Sequence, residues 1–262
     1  MDLELRGKNV LVTGASQGLG LACAWGFAQE GCRVHMAARN GKAMETAAAD
    51  MKKKHGVEVT VHPMDLSVSE NTRKLAGACG NLDVLVNNAG AIPSGRIDEV
   101  DEQRWRTAWD LKVFGYVNLT REVYAGMKAR KSGVIVNIIG VAGERHRSDY
   151  IAGTTGNAGL IAFTRALGSE SVDHGVRCVG INPGRFETER QVKHLKEAAQ
   201  KEFGDPERWQ EIRARMTATL PFKRSGRPDE VADLALFLAS ARAGYISGTV
   251  VTIDAGQTMR PR

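Results

Sequence analysis

Short, mostly β-branched apolar runs alternate along the chain with longer stretches in which apolar residues return every three or four positions. The runs predict strands near 8–13, 33–38, 58–63, 82–87, 133–139, 176–181 and 249–253, and the intervening stretches predict helices. Strands separated by helical segments of this length imply a parallel sheet with helices on both faces. Nothing in the 262 residues marks a composition break, so one domain covering 1–262 is the economical reading.

The first strand carries the strongest chemical signal. Val10-Leu11-Val12 runs into Thr13-Gly14-Ala15-Ser16-Gln17-Gly18-Leu19-Gly20, and a helix from Leu21 to Glu30 follows, closed by Gly31. A glycine turn between strand and helix lets backbone N–H groups approach a diphosphate, and the positive end of the helix dipole offsets its charge. The expected architecture is therefore α/β, a Rossmann-type doubly wound parallel seven-stranded sheet. Where such folds usually carry an acid for the adenosine ribose 2′-hydroxyl, this chain has Ala38 and then Arg39. No carboxylate repels a 2′-phosphate there and a guanidinium can grip one, so NADP(H) is expected in preference to NAD(H), with NAD(H) still possible. A solvated loop arginine is the competing reading of Arg39.

Further landmarks follow in order: Asp65-Leu66, Asn87-Asn88-Ala89-Gly90, Pro183-Gly184 with Thr188, and Gly248 through Asp254-Ala255-Gly256. Together they resemble the short-chain dehydrogenase/reductase family over nearly the whole chain. The resemblance implies that Gly14, Ser16, Gln17, Gly18, Leu19 and Gly20 hold the diphosphate. It also implies that Asp65 and Leu66 face the adenine, that Asn88, Ala89 and Gly90 line the adenosine ribose, and that Pro183, Gly184 and Thr188 hold the nicotinamide.

The same resemblance exposes a departure. The family uses a serine, a Tyr-x-x-x-Lys pair and an asparagine for proton transfer, the lysine lowering the phenol pKa through its charge. Aligned on Val134–Gly143, Ala158–Phe163 and Trp105, those positions fall on Gly140, Gly153, Asn157 and Lys112. A three-residue gap would bring Tyr150 into the tyrosine register but would put Thr154 where the lysine belongs. Lys112 and Asn157 thus look exchanged relative to the family. Tyr150, three residues before Gly153, lies about 60° around and roughly 4.5 Å along a helix, within reach of the vacated space. Packing at a helix start is the other reading of Tyr150, and a solvated helix position that of Lys112. Gly140, Gly153 and Gly156 together predict an enlarged pocket. Arg145, His146, Arg147 and Ser148 would border it and favour an anionic or polar small substrate, with His146 able to titrate near neutrality. An ordinary exposed basic loop is the alternative for this segment.

Composition narrows the field further. The net charge of +6 comes from basic residues mixed among acids, which argues against nucleic acid. Cys23, Cys32, Cys79 and Cys178 have no metal-ligand spacing and read as reduced packing residues, so no metal is expected. Without a signal peptide or an apolar span, a cytoplasmic protein away from the membrane is expected. The charged stretch 185–224, with helical spacing over 189–203 and 206–217, would form a substrate lid in which Phe186, His194, Trp209 and Met216 are candidate contacts. The resemblance implies a homotetramer or homodimer through 101–130, 149–174 and the final strand. The leading expectation is an NADP(H)-dependent oxidoreductase acting on a carbonyl or alcohol through a rebuilt acid/base site, with Tyr150, Lys112, Asn157 and His146 as its groups. A non-redox lyase or isomerase, or a nucleotide-binding pseudoenzyme, stands as the alternative.

Overall fold

The computed structural model describes residues 1–260. Seven parallel strands form one sheet in the order β3-β2-β1-β4-β5-β6-β7: β1 (Asn9–Thr13), β2 (Arg33–Ala38), β3 (Val59–Pro63), β4 (Val84–Asn87), β5 (Gly133–Ile138), β6 (Val176–Pro183) and β7 (Val250–Ile253). Every residue of β1 and β4 is buried, as expected of a sheet covered on both faces. The reversal of strand order between β1 and β4 opens a crevice at their carboxyl ends.

The helices are α1 (Gly18–Gln29), α2 (Gly41–His55), α3 (Ser69–Cys79), α4 (Glu102–Trp109), α5 (Gly115–Arg130), α6 (Ile151–Glu170), α7 (Glu189–Phe203), α8 (Trp209–Thr219) and α9 (Pro228–Ala239). One core packs α1 and α9 against the sheet through Cys23, Phe27, Val231 and Leu236, where Gly26 lets the helices approach closely. The other core buries α3 and α5 on the opposite face through Leu75, Leu119, Val123 and Met127. The two helical layers are thus those that the alternating pattern demands. A polar chain runs from β4 to β5 on the face covered by α5 and α6: Asn87 Nδ2 donates to Thr120 Oγ1 (3.0 Å) and Asn137 Oδ1 (2.9 Å), and Asn137 Nδ2 donates to Thr164 Oγ1 (2.9 Å). Buried amides of this kind fix the register of α5 and α6 on the ends of β4 and β5.

The structure adds two local features. The first helix begins at Gly18 rather than Leu21, so the glycine turn, with Gly18 at a positive φ, runs straight into it. Between α4 and α5 lies a π-helical turn at Asp110–Phe114. A π turn widens the helix and redirects the side chains within it, a distortion frequent at functional sites.

Candidate functional site

One cleft of about 1380 Å³ runs along the carboxyl ends of the strands, from the glycine turn to the segment carrying α7 and α8. At one end, Gly14 and Gly18 adopt positive φ (65° and 57°), a backbone that side chains with a Cβ rarely tolerate. A Cβ on Gly14 would stand 2.8 Å from the Asn88 amide nitrogen. That amide donates to Thr13 O (3.0 Å) and Gly14 O (3.3 Å), so Asn88 clamps the turn with its side chain. The amino end of α1 has no side-chain cap and no acid in its first turn, which leaves its first N–H groups for an anion. Residues Ser16, Gln17 and Leu19 line the cleft beside them, while Gly20 is buried behind the turn. The cradle fits a dinucleotide diphosphate.

Ala38, Arg39 and Asn40 line the adjoining wall. Arg39 is exposed and, among the described residues, has no ion pair. Burial alone would raise the Asp65 carboxyl, but hydrogen bonds from the Ser67 amide (2.9 Å) and hydroxyl (2.8 Å), helped by Arg39, hold it below its usual value. Asp65 therefore stays ionised and shapes its own loop, while Leu66 faces the cleft. Ala89, Gly90, Pro183, Gly184 and Thr188 complete this side. Thr188 also caps α7 by accepting from the Gln191 amide (3.3 Å).

The opposite end gathers the groups of the expected acid/base site. Lys112, in the π-helical turn, is buried, and its Nζ donates to Ile138 O (3.0 Å), Ile139 O (3.2 Å) and Tyr116 Oη (3.1 Å). It is not a solvated helix lysine. Among the described residues no carboxylate compensates it, so burial, reinforced by the charge of Arg190, lowers its pKa to about 7. Its stem passes so close to Gly90 that a Cβ there would collide with it. Asn157 approaches the same strand end from α6, its Nδ2 donating to Gly140 O (3.4 Å) while its buried Oδ1 has no partner. The Lys112 ammonium and the Asn157 amide thus both bond to backbone carbonyls at residues 138–140.

Tyr150 caps the start of α6, and its ring lies across Gly153, where any Cβ would collide with it. The space that Gly153 vacates is therefore filled, which corrects the expectation of a larger pocket. Gly156 does not open the cleft either, because it faces Trp109 and Val113; Gly140 alone of the three borders it. Tyr150 packs beside Ile92, Trp105 and Ala152 and still lines the cleft, so both readings of its side chain hold in part.

Arg145, His146, Arg147 and Ser148 rim this end. Arg147 is held by Asp149 through two hydrogen bonds (2.9 and 2.7 Å), whereas Arg145 and Arg185 lack a carboxylate partner among the described residues. Enclosure by the cleft, then repulsion from Arg147 and Arg145, lowers the Arg185 pKa. Phe186, His194 and Met216 also face the cleft, but Trp209 does not. The sequence reading missed Arg185 and Arg190. Arg190 donates to Ile92 O (2.8 Å), a contact across 98 positions that no local pattern announces.

The comparisons agree with this geometry. A family model described as short chain dehydrogenase matches residues 8–199. The chain is 32% identical over 262 residues to an uncharacterized oxidoreductase of Thermotoga maritima, covering 98% of this chain and 99% of the relative. It is also 32% identical to a 3-oxoacyl-acyl-carrier-protein reductase of Chlamydia muridarum, over 98% and 99% of the two chains. Among solved structures, L-sorbose reductase from Gluconobacter frateurii, in complex with NADPH and L-sorbose, is 31% identical with a TM-score of 0.94 over the whole of both chains. With the glycine cradle, the strand order and a match across most of its length in agreement, the chain belongs to the short chain dehydrogenase family of oxidoreductases.

Proposed function

We propose that this protein is an NADP(H)-dependent oxidoreductase that interconverts a carbonyl and an alcohol on a small polar or anionic substrate, using Tyr150 and Lys112 in place of the family's proton-transfer set. The observation that carries this reading is that a single cleft joins the glycine turn and unpaired Arg39 at one end to Tyr150 and Lys112 at the other. The nicotinamide supplies the hydride when bound.

The chain's own residues divide the remaining work. Gly14, Ser16, Gln17, Gly18 and Leu19 hold the diphosphate, with Gly20 packed behind the turn, and Arg39 binds the 2′-phosphate. Asp65, Leu66, Asn88, Ala89 and Gly90 support the adenosine, while Pro183, Gly184 and Thr188 seat the nicotinamide. Tyr150 holds the transferred proton on its hydroxyl. As an ammonium, Lys112 spends its three N–H bonds on Tyr116, Ile138 and Ile139, so it acts through its charge at the strand end rather than by donating directly. Asn157 presents its unpartnered Oδ1 near the same strand end, and His146 stands at the rim to contact the substrate. Arg185 and Arg145 attract the anionic part of the substrate. Residues 185–224 form a lid that excludes water.

Among the described residues no helix is long and apolar enough to cross a membrane. All four cysteines are free and buried, which suits a reducing compartment. The assembly is read as a homodimer or homotetramer. The function is tested by stereospecific deuteride transfer from labelled NADPH to a panel of polar and anionic carbonyl compounds. Tyr150→Phe should lower turnover by roughly 10²–10⁴-fold without weakening NADPH binding. Arg39→Ala should weaken NADPH about 10–100-fold and leave NADH unchanged, as expected for a lost hydrogen bond to a charged group. NADPH binding without turnover of any panel member would overturn the redox reading.

A further inference from the structure

His35, His62 and Cys79 come together away from the cleft. His35 lies on β2 and His62 on β3, where His35 pairs with Thr60 and Ala37 with His62, so the two histidines are diagonal neighbours across adjacent strands. Cys79 is the last residue of α3, and Ala37, two positions beyond His35, shares a buried cluster with Leu75 and Cys79. Residues two apart on a strand face the same way, which places both imidazoles under α3. Cys79 and His62 are buried (4% and 9% exposed), while His35 remains partly open to solvent.

The separations suit a thiophilic metal ion. His35 Nδ1 and His62 Nε2 stand 2.9 Å apart, the Cys79 Sγ is 3.8 Å from His62 Nε2, and all three atoms lie within 4.8 Å of one another. With Zn–N bonds near 2.0–2.1 Å and Zn–S near 2.3 Å, a tetrahedral ion needs about 3.3 Å between nitrogens and about 3.6 Å between nitrogen and sulfur. The two shorter separations are within about half an ångström of those values, and the third needs at most about 1.2 Å of adjustment. A change of the Cys79 side-chain rotamer at the end of α3 would supply it, and the chain after it is open: a Cβ added at Gly80 would meet nothing within 4 Å. Two imidazoles and a thiolate are ligands that favour zinc over magnesium or calcium.

From this geometry we propose that His35, His62 and Cys79 form a zinc site, with a water molecule as fourth ligand on the open His35 side. The ion ties β2, β3 and α3 together, and β2 leads directly into Arg39. The site is independent of the redox reading, because none of its ligands lines the cleft.

Cobalt is the probe, since a thiolate bound to tetrahedral cobalt absorbs in the near ultraviolet and shows intense visible bands. Metal-stripped full-length protein is titrated with cobalt and then with zinc. The expected result is a thiolate-to-cobalt band that saturates at one equivalent and is bleached by zinc. Cys79→Ser should abolish the band, and His35→Gln, at the more exposed ligand, should weaken cobalt at least tenfold. Each variant should bind NADPH like the parent, which separates loss of the site from loss of folding. No thiolate band in the parent protein at excess cobalt, or a band that survives Cys79→Ser, would overturn the site. The parent spectrum decides the matter even if a variant does not fold.

Discussion

At the scale of single residues, Lys112 and Gly153 carry most of what the proposed site depends on, and each is open to test. Lys112 is buried with three neutral partners, and its pKa of about 7 lies well below the roughly 10.4 of a lysine in an unfolded chain. Between those values the unfolded state binds one more proton than the folded state. Stability contributed by this group is therefore full above about pH 10.4 and is lost as pH falls toward 7, with a limiting slope of about 1.4 kcal/mol per pH unit. The one charged group that bears on it among the described residues is Arg190, which lowers it further; the neighbouring Tyr116 hydroxyl is kept neutral by burial. Urea denaturation of the unliganded protein at pH 7, 8 and 9 should show stability rising with pH relative to Lys112→Met; parallel profiles would remove the buried-charge account. Gly153 gives the second test, because the Tyr150 ring occupies the place of its absent side chain. Gly153→Ala should displace the ring and cost about 1–3 kcal/mol through overpacking, with turnover falling toward that of Tyr150→Phe. Unchanged kcat in Gly153→Ala would show that the ring's position is immaterial. Of these features, the residue types at 112 and 153 were legible in the sequence. The burial of Lys112 was not, because its carbonyl partners, Ile138 at the end of β5 and Ile139 just past it, lie 26 and 27 positions away.

At the scale of elements, α7 has the greatest consequence for binding. Thr188 caps it and Arg190 anchors its first turn to Ile92. Between them stands Glu189, whose carboxylate oxygen lies 3.6 Å from the position a Gly18 Cβ would take. An acid beside the diphosphate cradle opposes the ligand's charge, so α7 should move outward as the nucleotide enters, or cost affinity where it stands. Glu189→Gln is expected to tighten NADPH severalfold at low salt, with the gain shrinking as salt rises. Equal affinities at low ionic strength would mean that the carboxylate already points away. Helix α7 was predicted over its observed range because its apolar positions follow the helical period. The π-helical turn at Asp110–Phe114 was not, since nothing in its local pattern distinguishes it from regular helix.

At the scale of the whole molecule, the edge strand β7 bears on assembly. Its four residues, Val-Val-Thr-Ile, carry no charge and are all partly exposed, whereas β1 is wholly buried. Phe114, half exposed between α4 and α5, and the fully exposed Tyr245 add apolar surface. An uncharged apolar edge left in water invites pairing, which is why a second copy is expected there. Light scattering should give the mass of a dimer or tetramer, and a Val250→Lys substitution should lower it; a monomer across the micromolar range would overturn the assembly. The sequence by itself determined the seven strands and the glycine turn, because each is written in neighbouring positions through periodicity, backbone freedom and spacing. Only the tertiary structure decided that Tyr150 fills the gap at Gly153, that Lys112 is buried against β5, and that His35, His62 and Cys79 share one corner of the fold. Those arrangements depend on how far-separated segments pack, and the energy of a contact between them leaves no mark on either segment alone.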